Sequence, residues 1–410
     1  MTPLPRDGSR VSSDIRRHNL GLLTRQLASA GPQSRTRLAE ATGLTKGAIT
    51  ALTAALVKAG VLKEGAEGAS PSRSGTGRKR TLLRLAADDV ALLVIQLDAD
   101  SATALLTTVA GDELFRMERQ HGRPMGRPGP IIDVLADTLR QALDEAARIS
   151  RRVLGTVVVV FAPVSGDPAI VLADTDLGWG PVDLLGELRA REPRLAADAR
   201  LCPDATLAAQ AERSLLDGID DMLYIKSNSG IGGAAISGGR LIVGPRSMAG
   251  AFGHLAVVPD GELCLCGQHG CLVTVAGPEV VLRDAGLDAL LQSDGLSAAL
   301  AEFVRRMRAG DEQAIAAWEP AARWVAKTLS LLSIVFDPDV IVLGGYWAEL
   351  ADTVDPLFQR LGPPVALAAG WTPPAILAGT LGADAALHGA VWHARDRLLA
   401  DPMQLSARRD

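Results

Sequence analysis

Two separate runs of strand-forming residues, each opening an alternation of strands and helices, constrain this chain more than any other feature. The first is Leu92–Leu97, followed by a return strand at Ala102–Val109, a helix at Ile131–Ile149 and the Val-rich stretch Gly155–Phe161. The second starts near Asp221 with Met222–Lys226, continues through Gly233–Ile236, and reaches the long helix Ala314–Phe336 before the strand Val340–Leu343. Short apolar runs between turn signals read as buried strands, and their alternation with helices makes an α/β architecture. Repetition of the unit predicts two lobes around a cleft. Only 3% of the residues are aromatic against 48% hydrophobic, so aliphatic side chains must fill the cores.

A stretch of different texture precedes these runs. Residues 1–86 carry 15 Lys+Arg against 5 Asp+Glu, whereas the other 324 residues carry 27 against 42. A basic module on an acidic body is the charge arrangement of a nucleic-acid reader. Within the module, Ile15, Leu20, Leu22, Leu23 and Leu27 recur at near-helical spacing, and Gly31-Pro32 stops that helix. A short second helix is expected over Arg35–Thr42, with Leu38 and Ala39 facing inward and Gly43 supplying the turn. Thr45 then caps a third helix running to about Ala59. Val61-Leu62 begins a strand, residues 73–80 read as the tip of a basic hairpin, and Thr81–Leu85 returns.

That order predicts a winged helix-turn-helix. The third helix would enter the major groove of double-stranded DNA with Thr45, Lys46 and Thr50 near its N-terminus. Arg35 is a further contact candidate, and the wing residues Arg78, Lys79 and Arg80 would reach a minor groove or the phosphate backbone. A three-helix protein-binding module and a solvated Arg/Gly/Ser linker are the competing readings of the same residues.

The opening MTPLPRDGSR lacks the apolar core of a signal peptide, and no apolar run approaches the length of a membrane span. A reducing cytoplasm and no membrane partner are therefore expected, and disulfides are not. Three of the four cysteines nevertheless crowd together. His254, Cys264, Cys266 and Cys271 have the spacing H-x9-C-x-C-x4-C, a set that closes a tetrahedral Zn²⁺ with no open position. Such a site is structural rather than catalytic; reduced surface thiols or a redox pair are the alternatives. Cys202 reads as a small buried residue.

Seven stretches carry a more specific likeness: GTVVVVFAPVS at 155–165, DTDLGW at 174–179, PDATLAAQAE at 203–212, SGIGG at 229–233, AGAFGH at 249–254, CLCGQHGC at 264–271 and DPDVIVLGG at 337–345. With them the chain resembles the ROK family (repressors, open reading frames and sugar kinases), in its winged-helix repressor branch. The resemblance implies an actin-like, ribonuclease H-like duplicated ATPase fold with a sugar pocket between the lobes. It implies zinc at the same four residues, with His254 binding the metal through one nitrogen and facing the sugar with the other.

The resemblance also exposes departures. Family kinases carry an Asp-x-Gly-Gly-Thr nucleotide turn; this chain reads Asp98-Ala99-Asp100-Ser101-Ala102, which fills both glycine positions and puts a carboxylate where a phosphate would sit. Asp204 matches the base that deprotonates the sugar hydroxyl, but Pro203 and Thr206 replace asparagines beside it. Ala251 and Val273 stand where two sugar-binding glutamates are expected. Each lost charged hydrogen bond is worth about 1.5–3 kcal/mol, so two weaken a hexose by about a hundred- to ten-thousand-fold. No residue is expected to be catalytic, and Asp204 is a vestigial base. Asp176 (asparagine in kinases), Asp204 and His254 would line an effector pocket; a cleft that only supports the fold is the alternative.

These readings predict a homodimeric repressor with a pseudo-palindromic operator and a sugar-like small effector. A DNA-binding sugar kinase and a ligand-independent DNA-binding scaffold compete with it. The expected domains are 1–86 for the DNA-binding head, 87–400 for the kinase-like body (lobes at about 87–200 and 201–400), and a tail at 401–410.

Overall fold

The computed structural model describes residues 8–66, 81–361 and 372–406. The N-terminal stretch folds into α1 (Gly8–Ala30), β1 (Gln33–Ser34), α2 (Arg35–Thr42), α3 (Lys46–Lys58), β2 (Leu62–Ala66) and β3 (Thr81–Leu85). The capping expectations hold. Thr45 Oγ1 accepts from the Ala48 amide at 3.3 Å at the start of α3, and Gly43 takes the left-handed conformation (φ 69°) that the turn needs. Strands β1, β3 and β2 form an antiparallel sheet in that order. Leu23, Leu38, Ile49, Leu56 and Leu83 have no exposed surface and make the centre of this head. Residues 73–80, with Arg78, Lys79 and Arg80, lie outside the described residues.

The body repeats one topology twice. In the first unit β4 (Val90–Leu97), β5 (Ser101–Thr107) and β6 (Glu113–Gln120) form an antiparallel meander. Helix α4 (Pro128–Arg148) leads to β7 (Arg152–Val160), parallel to β4. A two-strand hairpin, β8 (Val164–Ser165) and β9 (Ile170–Val171), and α5 (Leu184–Arg191) precede β10 (Arg200–Pro203) and α6 (Asp204–Arg213). In the second unit β11 (Met222–Ser227), β12 (Ile231–Ser237) and β13 (Arg240–Ile242) repeat the meander. After four inserted helices, α7 (Val273–Ala276), α8 (Pro278–Asp284), α9 (Asp288–Asp294) and α10 (Leu296–Arg308), the crossover α11 (Glu312–Phe336) leads to β14 (Val340–Gly345). Then come α12 (Ala351–Leu361), β15 (Ala375–Ala378) and α13 (Ala385–Ala400). The sheet orders are β10-β7-β4-β5-β6 and β13-β12-β11-β14-β15, the same arrangement read from opposite ends.

Three details amend the sequence reading. The first lobe runs on through Pro203, because β10 pairs in parallel with β7 in register Arg200 to Val157 through Pro203 to Val160. Helix α1 begins at Gly8, ahead of Ile15, the first residue of the apolar periodicity. The supposed tail is docked as far as it is described: Pro402–Leu405 form a 3₁₀ turn, and Leu405 is 1% exposed.

Corresponding helices α6 and α13 pack against each other at the centre. Their backbones touch at Gly389, where an added Cβ would lie 2.1 Å from the Leu207 carbonyl oxygen. The outer side of α13 receives α1, and one hydrophobic cluster runs from Leu23 and Ile49 of the head to Val157, Ala208, Ala390 and Leu398 of the body. Head and body therefore share a core. Among the described residues no helix is long and apolar enough to cross a membrane.

Candidate functional site

A cavity of about 970 Å³ opens between the two units. Residues 161–166, 172–176 and 178–180 of the first unit form one wall; Lys226, Ser229–Gly233, 247–251, Gly253 and His254 form the other, and Asp204 also lines the cavity. All three residues expected to meet an effector, Asp176, Asp204 and His254, line it, and so do Ala251 and Val273.

The loop carrying Asp176 is rigidly built. The Asp174 carboxylate accepts from the amides of Asp176 (2.9 Å) and Leu177 (3.0 Å), while Asp174 and Trp179 exchange backbone hydrogen bonds of 3.1 and 2.8 Å. Trp179 is buried behind the loop. Burial pushes Asp174 up to about 6. Burial, aided by the charges of Asp174 and Glu279, pushes Asp176 up to about 7. Near neutral pH the Asp176 carboxyl thus exists in both forms, one able to donate a hydrogen bond and the other only to accept.

Asp204 is the first residue of α6, where a carboxylate also meets the positive end of the helix dipole. One of its oxygens accepts from the Ala205 amide at 2.5 Å, and the other is ion-paired to the Lys226 ammonium. Both side chains are buried, 7% and 9% exposed. Lys226 escaped the sequence reading; its only signal was a lone charge in the strand MLYIKS, every residue of which is buried. Each carboxylate oxygen has one partner and keeps a second lone pair, so these contacts orient Asp204 without removing it as a proton acceptor.

The turn that replaces the glycine pair does not line this cavity, although Asp98 feels the charges of Lys226 and Asp204, which do. Burial raises Asp98 to about 6, and Gln96 donates to it at 2.6 Å. Asp100 accepts from the Leu296 amide at 2.6 Å.

The four expected zinc ligands converge. Their donor atoms all lie within 4.8 Å of one another, with His254 Nδ1 3.7 Å from Cys264 Sγ and Cys266 Sγ 3.6 Å from Cys271 Sγ. A tetrahedral ion with bonds of about 2.3 Å to sulfur needs ligand separations of about 3.8 Å, so the residues fit Zn²⁺. Burial lowers the His254 pKa and favours the neutral imidazole that ligates. The loop closes because Gly270 has φ 71° and sits where a Cβ would be 1.8 Å from the Val258 carbonyl. Nδ1 faces the sulfurs, which leaves Nε2 for the cavity that His254 lines. Cys202 stays outside the cluster on β10, its thiol pushed up to about 11 by burial.

In the head, Lys46 and Thr50 are exposed on the first turns of α3. Thr50 Oγ1 donates back to the Lys46 carbonyl at 2.8 Å, and Thr45 is committed to capping. Arg35 is held internally, donating to Thr53 Oγ1 at 3.0 Å and to Glu64 at 2.5 Å.

The profile of the ROK family matches residues 100–397. The chain belongs to the ROK family. N-acetylmannosamine kinase of Escherichia fergusonii is 35% identical over 143 residues, 35% of this chain and 47% of that protein, so the chain spans about half the length of such curated kinase relatives. The DNA-binding transcriptional dual regulator NagC of Escherichia coli K12 is 24% identical over 351 residues, 83% of each chain. Among solved structures, a ROK family transcriptional regulator homologous to the E. coli MLC protein superposes with a TM-score of 0.70. It is 20% identical and covers 96% of this chain and 98% of its own, a match that confirms the duplicated α/β fold and an N-terminal helical region joined to it.

Proposed function

We propose that this ROK protein is a cytoplasmic DNA-binding transcription regulator, a repressor whose body senses a small sugar-like effector without transferring phosphate. In this reading residues 1–86 are a winged helix-turn-helix head and residues 87–400 a zinc-braced sensor and dimer platform. Two heads of a homodimer would meet a pseudo-palindromic operator, with Lys46, Thr50 and Thr45 at the major groove and Arg78, Lys79 and Arg80 at the wing. Arg35 contributes only by exchanging Glu64 for a phosphate.

The head carries the reading. It is strongly basic, and it presents the capped N-terminus of α3 with Lys46 and Thr50 exposed. Similarity to NagC along most of both chains supports it. The test is a binding titration of the full chain on its own upstream DNA at several salt concentrations. Affinity should fall steeply with salt, and Lys46→Ala should flatten the slope by about one counterion. Binding that ignores salt sinks the proposal.

Ala251 and Val273, standing in the cavity wall where glutamates would bind a sugar, support an inactive kinase site. The second reading, a DNA-binding sugar kinase, draws on the kinase relatives and on the retained Asp204. ATP turnover with a hexose, abolished by Asp204→Asn, would establish it.

A further inference from the structure

The turn between β4 and β5 belongs to the first sheet, yet its side chains are inserted into the second lobe. Ala99 is 1% exposed and packs in the cluster of Phe303, Leu300 and Trp318. Asp100, 8% exposed, reaches the start of α10 and accepts from the Leu296 amide at 2.6 Å. That helix has no capping side chain of its own and no acidic residue in its first turn; its N-cap is Gly295. The four unpaired amides of a helix start attract negative charge. Here the opposite lobe supplies it. Gly295 makes room: its φ is 87°, and a Cβ there would lie 2.6 Å from the Asp100 carboxylate. A second bridge runs nearby, from Arg123 of the first unit to Glu279 on α8 at 2.6 Å.

We infer that Asp100 is a built-in latch between the lobes, a carboxylate from one lobe that caps α10 of the other and holds this side of the cleft together. Opening the cleft then requires breaking the Asp100–Leu296 bond and withdrawing Ala99 from the second core. A hydrogen bond to a charged group is worth enough to shift such an equilibrium by about tenfold or more. The latch depends on neither DNA nor effector, so it stands or falls separately from the regulator reading.

The test is hydrogen exchange on the full-length protein without nucleotide, comparing wild type with Asp100→Ala and Asp100→Asn. Wild type should protect the amide of Leu296. Asp100→Ala should speed exchange about tenfold or more on both sides of the cleft, in peptides around 98–101 and 120–125 as well as 295–300. Asp100→Asn should show a smaller effect in the same places. Acetate, which can fill the vacated helix start but cannot tie it to the first lobe, should restore protection in Asp100→Ala at 295–300 only; restoration on both sides of the cleft would overturn the latch. Acceleration confined to 295–300 would reduce Asp100 to a local cap and overturn the latch. So would an unprotected Leu296 amide in the wild type, a result that needs no variant to fold.

Discussion

Thr24 on the N-terminal helix donates its hydroxyl hydrogen bond to the carbonyl of Leu399 on α13 at 2.9 Å, in a fully buried contact. The same oxygen also lies within hydrogen-bond distance of Leu20 and Gly21 carbonyls of its own helix. Close by, Gly21 admits the α13 backbone, with the Leu399 oxygen 3.3 Å from where a Cβ would stand. The Arg25–Asp396 pair at 3.8 Å is exposed and adds little. Among the described residues the seam between α1 and α13 is therefore mainly apolar, with the Thr24–Leu399 bond buried inside it. Thr24→Val should lower unfolding free energy by about 1–2 kcal/mol in a denaturant titration, and Thr24→Ser should recover most of the loss. An unchanged midpoint in Thr24→Val would show that the bond contributes nothing.

Lys226 and Asp204 form a buried pair whose removal should be strongly asymmetric. Lys226→Met leaves a buried carboxylate with no cation, at a cost of about 3–5 kcal/mol. Replacing both residues with apolar ones should recover most of that stability. The double-mutant cycle measures the coupling; additive losses would mean the two charges do not depend on each other.

The cysteine cluster predicts one zinc ion per chain by elemental analysis of protein purified without added metal. Cys266→Ser should lose the ion, lower the melting temperature and make the 254–271 loop sensitive to proteolysis. Because the ligands must be deprotonated, zinc release should accelerate as pH falls. Wild-type protein that is fully folded and free of metal would refute the assignment.

Asp176 makes stability depend on pH with a definite sign. Its folded pKa, raised to about 7 by burial, lies above the ordinary carboxylate value of 3.8. The folded state therefore prefers the protonated acid. Its contribution is fully present below about pH 4 and is lost as pH rises through 7. Asp176→Asn should be stabilising at pH 8 by about 1–3 kcal/mol, and the advantage should vanish by pH 4. Parallel denaturation curves at the two values decide the matter, and an equal difference at both would contradict the raised pKa.

Much of this was legible in the sequence because local chemistry agreed with the fold. Gly43 and Thr45 announced the turn and cap of the head, and the cysteine spacing announced a tetrahedral set. The Val-rich run at 155–161 stood out because β7 is buried along its C-terminal half. Strand β6 was missed: as an edge strand, Glu113–Gln120 has polar residues along most of its length and lacks a buried run. The role of Asp100 was also hidden. Read locally it was only a misplaced charge, since its partner Leu296 lies 196 residues away. Lys226 was overlooked for a related reason: a lysine in a strand carries no sign of the aspartate it will meet. Pairings between distant segments leave no periodicity to read.

The seam between α1 and α13 also orders events in time. Thr24 and Leu399 are 375 residues apart, so the helix that starts the head is made long before the helix it rests on. During synthesis Leu23, Leu38 and Ile49 of the head emerge first, while the α13 part of the cluster they share does not yet exist. The head waits, tethered and unseated, until α13 has emerged from the ribosome and settled against α6. Truncations that remove α13 should thus uncover the apolar face of α1 and cost the head part of its own core.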